Sequence, residues 1–271
     1  MFSLSYRCPV CREPLLFSNS SFICAHKHTF DLSREGYLNF ALGKSESGDD
    51  VGMSQSRRRF LAKDYYRPFA DSIAETVEKY VGNPAFLIDC GCGEGYYLRV
   101  LREKFPDAAL FGADLSKSAV KMAAKSEKGK ENPCRYVVCS LFTMPLFDAC
   151  ADAAVSVFAP VAAEETARLV RDDGCFLVAG PGPRHLEGLK KVLYDTPYDN
   201  PEKSREYGGF CRIDEVKCDY SVTVYGDDIR DLFSMTPYYW KTSESDGKKL
   251  LGLERLETAL SFRIAVYRRE G

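Results

Sequence analysis

Two groups of residues have types and spacings that could do chemistry. The first is Cys8-x2-Cys11, then twelve intervening residues, then Cys24-x3-His28. A Cys-x2-Cys turn aims two thiolates at one ion, and a second pair from a later turn completes a tetrahedron, with bonds of roughly 2.3 Å to sulfur and 2.0 Å to imidazole nitrogen. Four protein ligands leave no open position, so this spacing predicts a structural zinc rather than a catalytic one. His26 is a rival for the fourth place; the x3 spacing favours His28 because it leaves more room for the turn. A segment of about 40 residues has little core of its own, so the metal is expected to supply much of its folding energy.

The second group lies in "IDCGCGEGYY", Ile88 to Tyr97, where Asp89, Gly91, Gly93 and Gly95 follow an apolar run. Glycine weakens any strand or helix it interrupts, so this alternation asks for a ligand against bare backbone. A dinucleotide fingerprint reads G-x-G-x-x-G; here the order is D-x-G-x-G-x-G. A carboxylate at a strand tip favours a cationic group and disfavours a pyrophosphate. S-adenosylmethionine meets that demand with an amino group, a sulfonium and no phosphate, whereas NAD fits less well. Asp114 in "LFGADLS" is placed at the end of the next strand, where a carboxylate can hold two ribose hydroxyls. Ser140 and Leu141 in "VVCSLF" are expected to meet the adenine edge.

These residues need a frame. Residues 1–43 form a first unit rich in cysteine, histidine and aromatics, the expected zinc-ribbon-like domain. The link "GKSESGDDVGMSQS" reads as mobile, and residues 44–67 are taken as a linker that carries Arg57, Arg58, Arg59, Lys63 and Arg67 beside Tyr65 and Tyr66. A helix is expected from Pro68 to Val81, with Phe69, Ile73, Val77 and Val81 every four residues. From Phe86 onward strands and helices alternate, which predicts an α/β domain over 68–271 with a mostly parallel, doubly wound sheet. The late stretches "DEVKCDYSVTVYG" and "LETALSFRIAVYRR" alternate like strands and predict an antiparallel extension at one sheet edge. Residues 195–210 show no clear period.

The bulk composition constrains function. The 271 residues are 45% apolar and 28% charged, which is ordinary for a globular protein. No apolar run reaches the roughly 18 residues of a membrane span, and the first residues lack a secretory signal, so a cytoplasmic location is expected. Eleven scattered cysteines read as reduced thiols in such a compartment. A net charge of −2 argues against non-specific nucleic-acid binding by the whole surface. The balance is uneven, with ten Lys/Arg against seven Asp/Glu in residues 1–70 and 27 against 32 in the rest. Contact with a polyanion should therefore involve the N-terminal part.

The stretches "CPVC", "CAHKHTFDLSREGYLNF", "QSRRRFLAKDYYRP", "DCGCGEGYY", "FGADLSKSAVKMAAK", "FAP", "GPGPRHLEGLK" and "MTPYYW" run in order along nearly the whole chain. Together they resemble the bacterial 23S ribosomal RNA (guanine-N1)-methyltransferases. The resemblance implies a zinc-ribbon-like head on a class I S-adenosylmethionine-dependent methyltransferase of Rossmann-like fold. The implied reaction methylates N1 of a guanine in a large-subunit hairpin loop. The resemblance makes Cys8, Cys11, Cys24 and His28 the zinc ligands, and places cofactor contacts at Tyr66, Gly93, Glu94 and His185. It implies RNA contacts at Arg57, Arg58, Arg59, Lys63 and Arg67, since cations bind phosphate and aromatics stack on unpaired bases. Amino-methyltransferases acting on adenine carry an Asn/Asp-Pro-Pro-aromatic stretch where this chain reads Phe158-Ala159-Pro160. Lacking that amide or carboxylate, the site matches a ring-nitrogen target, with Phe158 stacked on the flipped base. The resemblance also points to a homodimer. A methyltransferase acting on a small molecule such as a quinone precursor is one alternative, and a zinc-dependent RNA-binding module without activity is another. No catalytic base is assigned from the sequence.

Overall fold

The computed structural model describes residues 5–41, 43, 51–201, 205–250 and 252–271. The head is an antiparallel sheet of β1 (Tyr6–Arg7), β2 (Pro14–Ser18), β3 (Ser21–Ile23) and β4 (Thr29–Asp31), paired in that order. Asn19 and Ser20 join β2 to β3 with φ of 48° and 67°, the left-handed pair that matches the twist of a tight hairpin.

The main sheet has the order β11-β12-β10-β9-β6-β7-β8-β5. Its centre is parallel: β6 (Phe86–Cys90), β7 (Ala109–Asp114), β8 (Arg135–Val138), β9 (Ala151–Val157) and β10 (Val170–Pro181). Helices α2 (Arg67–Val81), α3 (Tyr96–Lys104), α4 (Lys117–Ser126), α5 (Ala163–Leu169) and α6 (Glu187–Leu193) lie between or beside them in the chain. Strands buried on both faces read as apolar runs. Leu87, Ile88, Leu110, Phe111, Phe176 and Leu177 are accordingly all buried. Crossovers wind outward from β6 to β7 and β8, and the chain then returns to β9 on the other side of β6. That reversal opens a crevice at the carboxyl end of β6.

The late antiparallel strand is β12 (Arg255–Arg269). It pairs with β10 on one side and with the outermost strand β11 (Phe210–Tyr225) on the other, so it lies one place in from the edge. Between β11 and β12 the chain forms α7 (Asp227–Ser234), α8 (Tyr238–Lys241) and α9 (Glu244–Lys248), with Pro237 separating α7 from α8.

Two features depart from the sequence expectations. The expected mobile link is a helix from Val51 onward, α1 (Val51–Leu61); its remaining residues 44–50 lie outside the described residues. Helix α1 is polar in sequence, but it buries Met53, Phe60 and Leu61. Arg59 ties it to α7 by donating to both carboxylate oxygens of Asp231, with Nε–Oδ2 at 2.8 Å. The second departure is β5 (Leu38–Asn39), which leaves the head and adds a parallel strand to the main sheet, Leu38 opposite Val137 and Asn39 opposite Val138. Tyr6, Cys8, Leu15, Cys24 and Phe40 of the head then share one apolar cluster with Ile88, Phe111, Val137 and Met144.

Candidate active site and metal centre

The head closes two turns on the same point. Arg12 N–H donates to Cys8 O and Lys27 N–H to Cys24 O, and both Arg12 and Lys27 adopt left-handed backbone, with φ of 65° and 66°. One donor atom from each of Cys8, Cys11, Cys24 and His28 lies within 4.8 Å of all the others. Cys11 Sγ and Cys24 Sγ are 3.6 Å apart, and His28 Nδ1 is 3.3 Å from Cys24 Sγ and 3.5 Å from Cys8 Sγ. A tetrahedron with 2.3 Å bonds has edges of roughly 3.8 Å, so the donor set fits a zinc ion. His26 is exposed with its ring centre 6.4 Å from that of His28, and the cluster forms without it.

At the end of β6, Asp89 is fully buried and neither carboxylate oxygen has a hydrogen-bond partner. Burial, and then the nearby Asp114 carboxylate, push its pKa up to about 8. An orphaned buried carboxyl is costly unless something pairs with it, and a cationic amino group would do so. The glycine loop follows. Gly91, Gly93 and Gly95 all have positive φ, but they face different things. A side chain at Gly91 would meet Ala159 Cβ at 2.3 Å, and one at Gly95 would meet the Tyr136 hydroxyl at 2.4 Å; at Gly93 nothing lies within 4 Å. Gly91 and Gly95 are small because protein packs on them, and Gly93 alone faces open space.

Asp114, at the end of β7, holds the loop in place. It accepts from Gly93 N–H at 2.9 Å and from Ser116 N–H at 2.8 Å. Leu141 Cδ1 lies 3.8 Å from the side-chain direction of Gly91, and Ser140 Oγ accepts from Phe142 N–H, so the segment after β8 borders the same loop. The Glu94 side chain is turned away into an ion pair, with Arg99 donating to both its oxygens at 2.9 and 3.0 Å. Its backbone carbonyl also accepts from Arg99, at 2.7 Å.

Across the crevice, Tyr66 precedes α2 and His185 follows the turn after β10. Their side chains meet at 3.2 Å, Tyr66 Oη to His185 Nε2. Burial, with Lys190 nearby, pushes the His185 pKa down to about 3, and burial raises that of Tyr66. Both groups are therefore neutral at pH 7. Phe69 and Phe262 stack beneath them, with centroids 3.9 Å apart and planes within 6°. Phe158 covers this aromatic floor at 5.9 to 6.4 Å from Tyr66, Phe69, His185 and Phe262. It is 48% exposed and has φ of 54°, a conformation that costs an aromatic residue energy and recurs at functional sites.

The fold and both sites have counterparts among known proteins. Residues 6–41 match the zinc-ribbon family described as RlmA, N-terminal, and residues 87–174 match the family described as Methyltransferase domain. The Streptomyces fradiae "23S rRNA (guanine(748)-N(1))-methyltransferase" is 34% identical over 69% of this chain and 67% of its own length. YxjB of Bacillus subtilis (strain 168), named for the same guanine-N1 reaction, is 31% identical over 87% of this chain and 86% of its own. This chain belongs to the 23S rRNA (guanine-N1)-methyltransferase family. Among solved structures, the protein from a study of disulfide-to-thioacetal conversion in echinomycin biosynthesis superposes with a TM-score of 0.51. It is 14% identical over 73% of this chain and 82% of that one, a likeness of fold alone.

Within this guanine-N1 methyltransferase, the basic cluster is divided by its partners. Arg59 is committed to Asp231, and Arg67 donates to Asp71 at 2.8 Å and to Glu103 at 2.6 Å. Both therefore also hold elements together, with their side chains 57% and 38% exposed. Arg58 and Lys63 are exposed, Arg57 donates to the Met235 carbonyl at 3.4 Å, and the charges of Arg57 and Arg58 both favour the Glu94 carboxylate. Sequence reading missed Phe69 and Phe262. On α2 and β12 they look like ordinary core residues, and nothing local marks their stacking across 193 positions.

Proposed function

We propose that this protein transfers a methyl group from S-adenosylmethionine to N1 of one guanine in a hairpin loop of 23S ribosomal RNA. The observation that carries the reading is the buried, unpartnered carboxyl of Asp89 beside the open face of Gly93, in a chain of this family. The methyl donor supplies an electrophilic methyl group on a sulfonium. Asp89 pairs with its amino group, Gly93 lets it approach the backbone, Asp114 faces its ribose, and Leu141 borders its adenine. Transfer needs acceptor nitrogen, methyl carbon and sulfur in line, and such positioning can remove several kcal/mol of barrier. Phe158 holds the acceptor base flat by stacking. The neutral Tyr66–His185 pair and the Phe69–Phe262 stack give a dry wall that excludes competing water. Arg57, Arg58 and Lys63 meet phosphates at the mouth. The zinc in the head is structural, because all four ligands come from protein.

The same reading places the enzyme in the cytoplasm, where ribosomal RNA is made, and gives it a homodimeric state that light scattering tests. No helix among the described residues is long and apolar enough to cross a membrane. The deciding experiment incubates the zinc-loaded protein with labelled S-adenosylmethionine and unmodified 23S RNA, then maps the product. We expect label at N1 of a single guanine. Label on small molecules but none on RNA would defeat the reading.

A further inference from the structure

The stretch "MTPYYW", Met235 to Trp240, serves neither the metal centre nor the cofactor crevice. Its first part faces inward: the Met235 carbonyl accepts from Arg57 at 3.4 Å, and the Tyr238 hydroxyl lies 3.5 Å from Asn200 Oδ1. Its last two residues face outward. Trp240, the only tryptophan in the sequence, is 61% exposed. Its ring meets Tyr239 edge-on at 5.0 Å, and Tyr239 meets Phe233 at 5.5 Å. Together with Leu250 these rings line a groove of about 860 Å³ between α7, α8 and α9, with Arg230 and Lys248 among its lining residues. That volume is in the range of small-ligand sites.

An indole left in water forgoes a large burial gain, so its surroundings say what it waits for. The groove adjoins a hollow lined by Arg59, Lys63 and Arg230 together with Asp227, Asp228 and Asp231, and the two share Asp227 and Arg230. With Arg59 held by Asp231, Lys63 just after α1 and Arg230 on α7 are the lining cations left between the cofactor crevice and the indole, interleaved with Asp227 and Asp228. Asp227 and Glu244 also border the groove, but each pairs with a cation of its own helix, Arg230 at 3.9 Å and Lys248 at 2.7 Å. Exposed pairs of this kind are weak, and a phosphate can take the cations over. Exposed aromatics with cations beside them bind unpaired bases with little regard to sequence.

We infer that the groove between α7, α8 and α9 is a second nucleotide site for the RNA substrate, where an unpaired base outside the acceptor guanine stacks on Trp240 and its phosphate meets Arg230 and Lys248. This rests on the RNA reading above. The test uses the full zinc-loaded chain, an unmodified hairpin transcript of large-subunit RNA, and the emission of the lone tryptophan. Emission should be quenched to saturation as RNA is added. Trp240→Ala should weaken RNA affinity about 5- to 100-fold, the range for one stacked base. Trp240→Phe should keep most of the affinity, and both variants should bind S-adenosylmethionine like the parent in calorimetry. RNA that binds without quenching, and equally well to Trp240→Ala, overturns the groove but leaves the RNA reading standing. Protein that binds S-adenosylmethionine and no RNA overturns both. Emission that shifts with protein concentration alone, and not with RNA, gives the groove to a second copy of the chain and also overturns the proposal.

Discussion

Asp89 joins a cost to a use. Its carboxyl is held near pKa 8 by burial and by Asp114, so in the free protein it is mostly protonated at pH 7. A cationic ligand needs the carboxylate. Affinity for S-adenosylmethionine should therefore rise with pH between about 6 and 8, by up to tenfold per unit, and level off above. Calorimetry in buffers of different ionisation heat should show a proton released on binding; a flat profile would refute the assignment. The folded pKa also exceeds the unfolded value of about 3.9, so the free fold holds the extra proton in that window. Its stability should fall as pH rises from about 4 to 8, and Asp89→Asn should remove that slope while weakening the cofactor. The glycines give a second contrast. Gly91→Ala drives a methyl into Ala159 and should destabilise the fold by several kcal/mol. Gly93→Ala meets no protein atom and should cost only about 1–2 kcal/mol of backbone strain, yet lose cofactor binding. Thermal melts paired with calorimetry separate the two. These residues were legible because their spacing is local: four metal ligands and one glycine loop each fit within a short stretch. Which glycine has an open side-chain direction was not legible, because Ala159 and Tyr136 arrive from distant segments.

Helix α1 shows where local reading fails at the scale of elements. Its polar, glycine- and serine-containing start reads as a link, and the partner that makes it a helix lies about 170 residues further on, at Asp231. Helix α2, whose apolar stripe is strong, starts one residue before its expected start and ends where its periodicity puts it. Strand β5 has two residues and no period to read. The division of labour among the arginines follows from these contacts. Arg59→Ala leaves Asp231 with a nearly buried, unpaired carboxylate and should cost about 1–3 kcal/mol of stability. Arg58→Ala should leave the melting temperature unchanged and lower RNA affinity with a shallower salt dependence. Equal melting temperatures for the two variants would reject this partition.

At the scale of the whole molecule, the head is built into the sheet rather than tethered to it. Cys8 and Cys24 sit in the same apolar cluster as Ile88 and Phe111, and β5 pairs with β8, after which Ser140 and Leu141 border the glycine loop. Removing zinc with a chelator should thus lower the melting temperature and weaken S-adenosylmethionine together, and Cys8→Ser should do the same. Metal-free protein that keeps its cofactor affinity would show the two halves to be independent.

The position of β12 bears on how the chain is made. It is synthesised after β11 yet lies between β10 and β11, so a nascent polypeptide carries two strands whose mutual filler has not emerged. Until Arg255–Arg269 leaves the exit tunnel, both flanks stay open to wrong partners. Stalled chains ending before Arg255 should remain protease-sensitive across β11, and the full 271 residues held on the ribosome by an added C-terminal tether of a few tens of residues should resist.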